Sequence, residues 1–289
     1  MKLAASVVFY EKRYGLQKGL QYLKTKGYDS IIYTLPRHEE YVARKWSEEE
    51  FEAHFTDIGK FIKDSELSIA FTTNDTGIYN DIVPDTYDAR VDMCIKSIKA
   101  TALMGGSVFA MRPVKFYYRH DDGMELSISL VHNALTKIKE EADKVGVKIA
   151  IVNADNDDVY GWCVKEIREL IDEFDLYLVI DPTDAYFAGC KVKKLVEEFN
   201  DRLVGVLMRD TGITDLPIKN ATIPFMGRAD FIKLVDALID ANPNAAVVMM
   251  PELTYSRFQE FYDSDGLLEA LEDLYYRMAI VASGRERLQ

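Results

Sequence analysis

Four apolar runs in this 289-residue sequence each end on a side chain that can carry charge or orient a ligand. Arg112 follows Met111, Asn153 follows Val152, Asp181 follows Ile180, and Arg209 follows Met208. A carboxylate such as Asp181 can take a proton from carbon beside a carbonyl. A guanidinium such as Arg112 or Arg209 can then stabilise the oxyanion that develops. These three form the candidate catalytic set. Asn153, Lys115, Asp184, Asp210, Glu252 and His120 lie close behind the same kind of apolar run and form the candidate substrate-binding set. Further polar residues in comparable places are Tyr10, Glu11, Arg13, Arg37, His38, Asn74, Asp75, Asp155, Tyr255 and Arg257. Loop ends are polar in any protein, and His120, flanked by Asp121 and Asp122, reads more readily as a surface histidine. Tyr117 and Tyr118 could stack on a sugar face or simply anchor their loop. His54 and His132 fall within predicted helices and receive no role.

Such residues meet only if the apolar runs are parallel strands whose ends converge. Short β-branched runs do alternate with amphipathic runs from one end of the chain to the other, the pattern of strands joined by crossover helices. The predicted strands are Leu3–Phe9, Ser30–Thr34, Leu67–Thr72, Ser107–Met111, Lys148–Val152, Leu176–Ile180, Leu203–Met208 and Ala245–Met250. Predicted helices follow each, near Leu16–Lys26, from the Ser47/Glu50 capping box, from Asp85 or Thr86 to Met104, and over Leu126–Lys144 and Tyr160–Glu173. The remaining three end near Asn200, cover Asp230–Ala241, and cover Leu267–Ala282. Eight such units of about 36 residues fill the length as a single (β/α)₈ barrel domain over 1–289, with its reactive groups at the C-terminal ends of the strands. A doubly wound open sheet is the alternative, but no GxGxxG or GxxxxGK[ST] segment supports nucleotide binding.

Bulk composition narrows the partners. The chain is 48% hydrophobic with a formal net charge of −13, so on average it repels phosphate backbones, and nucleic acid is not an expected partner. Cys94, Cys163 and Cys190 form no CxxC pair and read as reduced thiols of a cytoplasmic protein. The apolar start of the chain is short, ends at Glu11, and reads as a first strand rather than a leader. No run is long enough to cross a membrane as a helix, so no membrane association is expected.

Five strings stand out in order along the chain: GYDSIIYT from Gly27, EEADKVGVKIAIVN from Glu140, LYLVIDPTDAYFAG from Leu176, LVGVLMRD from Leu203 and IPFMGRADF from Ile223. Together they resemble the xylose isomerase-like barrel superfamily of sugar-phosphate isomerases and epimerases. The resemblance implies a sugar-like substrate, homo-oligomers and one divalent metal held by Glu, Asp, His and Glu from strands five to eight. Carried over, the strand-five Glu falls on Val152. The strand-six Asp is Asp181, and its His companion falls on Asp184. The strand-seven His falls on Leu207. The strand-eight Glu falls on Met250, or on Glu252 if the alignment slips by two, and the Glu after strand two falls on Tyr33. Valine and leucine cannot ligate a metal, so no cofactor is expected; the alternative is a rebuilt Mn²⁺ or Mg²⁺ site near Asp181 from Asp184, Asp210 and Glu252. Two functional classes stay open: a divergent enzyme moving a proton on a sugar or polyol-like substrate, and a non-catalytic binding or scaffold relative. The last helix, with Tyr275, Tyr276, Met278 and Ile280, packs either on a partner or on its own barrel.

Overall fold

The apolar runs are buried on both faces along most of their length, and they close into a cylinder. The computed structural model describes residues 2–74, 86–112, 122–155, 160–211, 221–222, 231–241, 244–249, 272–273 and 275–279. Eight parallel strands form the barrel: β1 (Lys2–Ser6), β2 (Ser30–Leu35), β3 (Ser68–Asn74), β4 (Val108–Met111), β5 (Lys148–Val152), β6 (Tyr177–Ile180), β7 (Leu203–Met208) and β10 (Ala246–Met249). Their order around the wall is β1-β10-β7-β6-β5-β4-β3-β2, and closure pairs Ala4 of β1 with both Val248 of β10 and Ser30 of β2. The order follows the chain, as a right-handed succession of strand and crossover helix requires.

The helices form the outer layer: α1 (Val7–Tyr14), α2 (Leu16–Thr25), α3 (His38–Arg44), α4 (Glu48–Asp64), α5 (Tyr87–Leu103), α6 (Asp122–Val145), α7 (Val164–Phe174), α8 (Pro182–Phe187), α9 (Val192–Glu198) and α10 (Phe231–Ala241). The expected capping box opens α4, with Glu50 N donating to Ser47 Oγ at 3.2 Å and Ser47 N donating to Glu50 Oε2 at 2.8 Å. Residues 272–273 and 275–279 are helical, and this last segment lies against its own chain. Tyr275 Oη donates to Gly27 O at 2.8 Å, Met278 is buried, and Tyr276 stays exposed. All three cysteines are free thiols, and Cys94 is buried in α5.

Three expectations need correction. The first strand stops at Ser6 rather than Phe9, because Val7 and Tyr10 bury at helical spacing and begin α1. Gly15, at φ 76°, breaks the run between α1 and α2, a backbone state that disfavours any side chain. The single helix expected after the sixth strand is two, α8 and α9. Past β7 the chain makes a short antiparallel pair, β8 (Asp210–Thr211) with β9 (Ala221–Thr222), where only a loop was expected.

Inside the barrel, Ile32, Phe71, Ala110, Val152, Val179 and Leu207 share one apolar cluster. The Phe71 ring of β3 reaches across to β7. A Cβ on Gly205 would stand 2.8 Å from Phe71 Cε1 and 3.2 Å from the Ala246 carbonyl oxygen. Glycine at 205 therefore lets one aromatic ring fill the interior. We expect Gly205→Ala to lower stability by about 1–3 kcal/mol through overpacking. Urea denaturation checks this, and an unchanged midpoint would show that the ring has room to move.

Candidate functional site

Strand alternation dictates where the reactive side chains go. Ala110, Val179 and Leu207 face the barrel interior, and Arg112, Asp181 and Arg209 each stand two residues further along, in the same phase. All three therefore turn inward at the C-terminal end of the barrel, where they join.

Asp181 is the hub. It is the N-cap of α8, with Pro182 at the first helical position, and its Oδ1 accepts from Thr183 N at 3.0 Å and Asp184 N at 3.3 Å. Such a cap satisfies two backbone donors of a helix start. The other oxygen, Oδ2, accepts from Arg112 Nη2 at 3.2 Å and also from Arg209 Nη1. Arg112 spans the pair of aspartates, since its Nη1 donates to Asp184 Oδ2. Asp181 and Asp184 have fully buried side chains, whereas the Arg112 side chain keeps 21% of its surface exposed. Arg112 is thus the member of the network that reaches solvent. Burial works against the charge of its guanidinium, yet the carboxylates of Asp184 and Asp181 outweigh both burial and the like charge of Arg209, and its pKa is held above the ordinary value.

Asn153 fixes the hub from behind. Its Nδ2 donates to Asp181 O at 3.1 Å, and its Oδ1 accepts from Asp181 N at 2.6 Å. The amide mimics one more rung of the β5–β6 ladder, just past the last strand pair. Asp210, also buried, opens β8 directly after Arg209. Of the nine residues singled out from sequence, Arg112, Asn153, Asp181, Asp184, Arg209 and Asp210 are placed here. Lys115, His120 and Glu252 lie outside the described residues, as do Asp75, Tyr117, Tyr118, Tyr255 and Arg257.

Other rim residues go elsewhere. Asn74 ends β3 instead of sitting in a loop, and its Nδ2 donates to Pro36 O at 2.8 Å and Ser97 Oγ at 2.9 Å, between the barrel wall and α5. Tyr33 belongs to the outer apolar layer under the helices, so it cannot take the place of a glutamate in the mouth. His38 is the first residue of α3. Glu11 lies on α1, half-buried, and burial raises its pKa above the usual carboxylate value. A carboxyl raised on folding binds protons more tightly in the native state, so stability falls as pH rises from the unfolded pKa through the folded one. Glu11→Gln is therefore expected to stabilise the protein at neutral pH and to match the parent below the unfolded pKa. Melting temperatures of both proteins across that range check the sign.

Among the described residues, the donor set does not fit a divalent ion. Val152 and Leu207, the positions on which the resemblance puts ligands, face inward, and each is apolar and buried. Both Asp181 oxygens already accept hydrogen bonds. Among the described residues, no three His, Cys, Asp or Glu side chains group as ligands. A Mg²⁺ or Mn²⁺ site needs about six oxygens and a zinc site about four ligands. What sequence reading missed is the mutual pairing itself. It singled out Arg112, Asp181, Asp184 and Arg209 one at a time, and nothing along the chain says that β4, β6 and β7 bring them within hydrogen-bond reach.

A family profile described as "Xylose isomerase-like TIM barrel" matches residues 20–272. No curated protein matches the chain. Among solved structures, the "IOLI protein with a binding zinc atom" superposes with a TM-score of 0.73 at 16% identity, over 98% of this chain and 99% of that one. A D-tagatose 3-epimerase-like protein gives 0.67 at 16% identity, over 96% and 100%. The 3-keto-D-glucoside 4-epimerase from E. coli gives 0.64 at 14% identity, over 93% and 98%. At these identities the likeness is one of fold.

Proposed function

The chain belongs to the xylose isomerase-like TIM barrel family, and from that premise we propose that it acts on a small sugar or polyol-like substrate at the C-terminal mouth of the barrel. The reaction class is proton transfer on carbon next to a carbonyl, as in isomerases and epimerases. The observation that carries this reading is the convergence of Arg112, Asp181, Asp184 and Arg209 at the one end of the barrel where enzymes of this architecture work. In this reading the whole chain serves as one barrel domain.

The roles follow from exposure and bonding. Arg112, the partly exposed member, meets the substrate carbonyl and stabilises the oxyanion. Arg209, held on Asp181, adds a second guanidinium behind it. Asn153 is a positioning residue, because its amide holds the main chain of Asp181. Asp184 anchors Arg112, and substrate binding is assigned to Asp210 and, by their place in the sequence, to Lys115, His120 and Glu252. Asp181 accepts a proton only after a guanidinium leaves Oδ2 for the substrate oxygen, which couples oxyanion stabilisation to the freeing of the base.

A second reading, a non-catalytic binding relative, is favoured by one specific observation. In the resting arrangement the two Asp181 oxygens accept from four donors, which fills the lone-pair sites of a carboxylate. Deuterium exchange separates the two. Ketoses, aldoses and sugar acids are incubated with the protein in D₂O and followed by NMR. Incorporation of deuterium at carbon beside the carbonyl supports the enzyme. Saturable binding of one of these compounds without incorporation supports the binding relative, and neither response across the panel rejects both.

A further inference from the structure

We propose that the Arg112–Asp181–Arg209–Asp184 network is a permanent, protein-supplied cation site: two guanidiniums stand where a divalent ion would have to bind, and they keep such ions out. The inference rests on the geometry of the network and on family membership, not on turnover of any substrate.

Charge balance comes first. The four side chains carry two positive and two negative charges, and three of them are nearly or fully buried, with Arg209 at 8% exposure and both aspartates at zero. Guanidinium stays protonated at any working pH. A divalent ion binding to Asp181 and Asp184 would have to displace both arginines from them. Two buried cations would then face a third, with their counter-charges taken away, which is a heavy electrostatic loss in a low-dielectric surround.

Ligand supply points the same way. With Val152 and Leu207 apolar, an incoming ion would find the two aspartates and no neighbour on β5 or β7 to complete its shell. Asp181 is further tied as the cap of α8 and cannot turn without unsatisfying Thr183 N and Asp184 N. Guanidinium also differs from a metal in kind. It offers planar, directional N–H donors and no open coordination position, so it can polarise an oxygen by hydrogen bonding but cannot collect several oxygens around one point.

The test is titration of the full chain with Mn²⁺, followed by the electron paramagnetic resonance signal of free aqueous ion, together with melting temperatures in Mn²⁺, in Mg²⁺ and after chelation. Zinc is avoided because free thiols such as Cys163 and Cys190 compete for it. The free Mn²⁺ signal is expected to track the total added, and the melting temperature to be the same in all three conditions. Uptake of about one equivalent per chain, or stabilisation by either ion through mass action, overturns the proposal. Arg112→Gln supplies the second arm. With one guanidinium gone and Asp184 released, the variant is expected to take up Mn²⁺ weakly, through Asp184 with water filling the rest of the shell, and to melt higher only at high Mn²⁺. A folded variant as indifferent to Mn²⁺ as the parent shows that the arginine is not what excludes the ion. If the variant does not fold, the parent titration still decides. Neither arm uses a substrate, so failure here is separate from failure of the isomerase reading.

Discussion

Asp181→Ala is expected to remove about 3–5 kcal/mol of folding stability, the range for breaking a buried ion pair from one side. The reason is what stays behind. Arg209 and Arg112 would both lose their shared acceptor while remaining largely enclosed. The start of α8 would also lose its cap, a further loss of about 1 kcal/mol in typical cases. Asp181→Asn separates these contributions, because an amide oxygen can still cap the helix while the negative charge is gone. Urea denaturation of the three proteins at neutral pH reads the series directly. The order expected is parent, then asparagine, then alanine. A loss below about 1 kcal/mol for alanine would match an exposed surface pair and contradict the buried hub.

The second large effect concerns activity. On any substrate that scores in the deuterium screen, Arg112→Met is expected to lower kcat by about 10²–10³-fold, the range for removing one oxyanion donor, with a smaller change in KM. Arg112→Lys is expected to recover only part of the rate. A lysine restores the charge but cannot span Asp181 and Asp184 with a planar fork. A drop confined to KM would assign Arg112 to ground-state binding instead. An unchanged kcat would move the chemistry away from this network.

The strand pattern was the more legible half of the molecule. β5 (Lys148–Val152) and β7 (Leu203–Met208) lie where periodicity places them, residue for residue. Fully buried parallel strands read as short apolar runs, so burial on both faces is itself the signal. The miss at Val7–Phe9 has the same origin. An apolar run facing the core carries no mark of whether it is strand or helix until the spacing of Val7 and Tyr10 is set against a neighbouring element. Two helices in place of one after β6 escaped for a related reason, since Gly189 and Cys190 sit in a segment amphipathic enough to pass as a single run.

No helix among the described residues is long and apolar enough to cross a membrane. The candidate site divides more sharply. That Arg112, Asp181 and Arg209 face the mouth follows from counting: each stands two residues past an inward apolar side chain, and a strand has period two. That Asp181 caps a helix was also within reach, because proline follows it directly. By itself, then, the amino-acid order determined the alternation of strand and helix, the number of repeating units and the phase that turns these side chains inward, since all of these are local periodicities. Only the tertiary structure decided that β4 and β7 direct their guanidiniums onto the carboxylate at the end of β6, and that Asn153 locks the main chain there. Those contacts join residues that are far apart in the chain, and barrel closure is what brings them within hydrogen-bond range, so no local pattern encodes them.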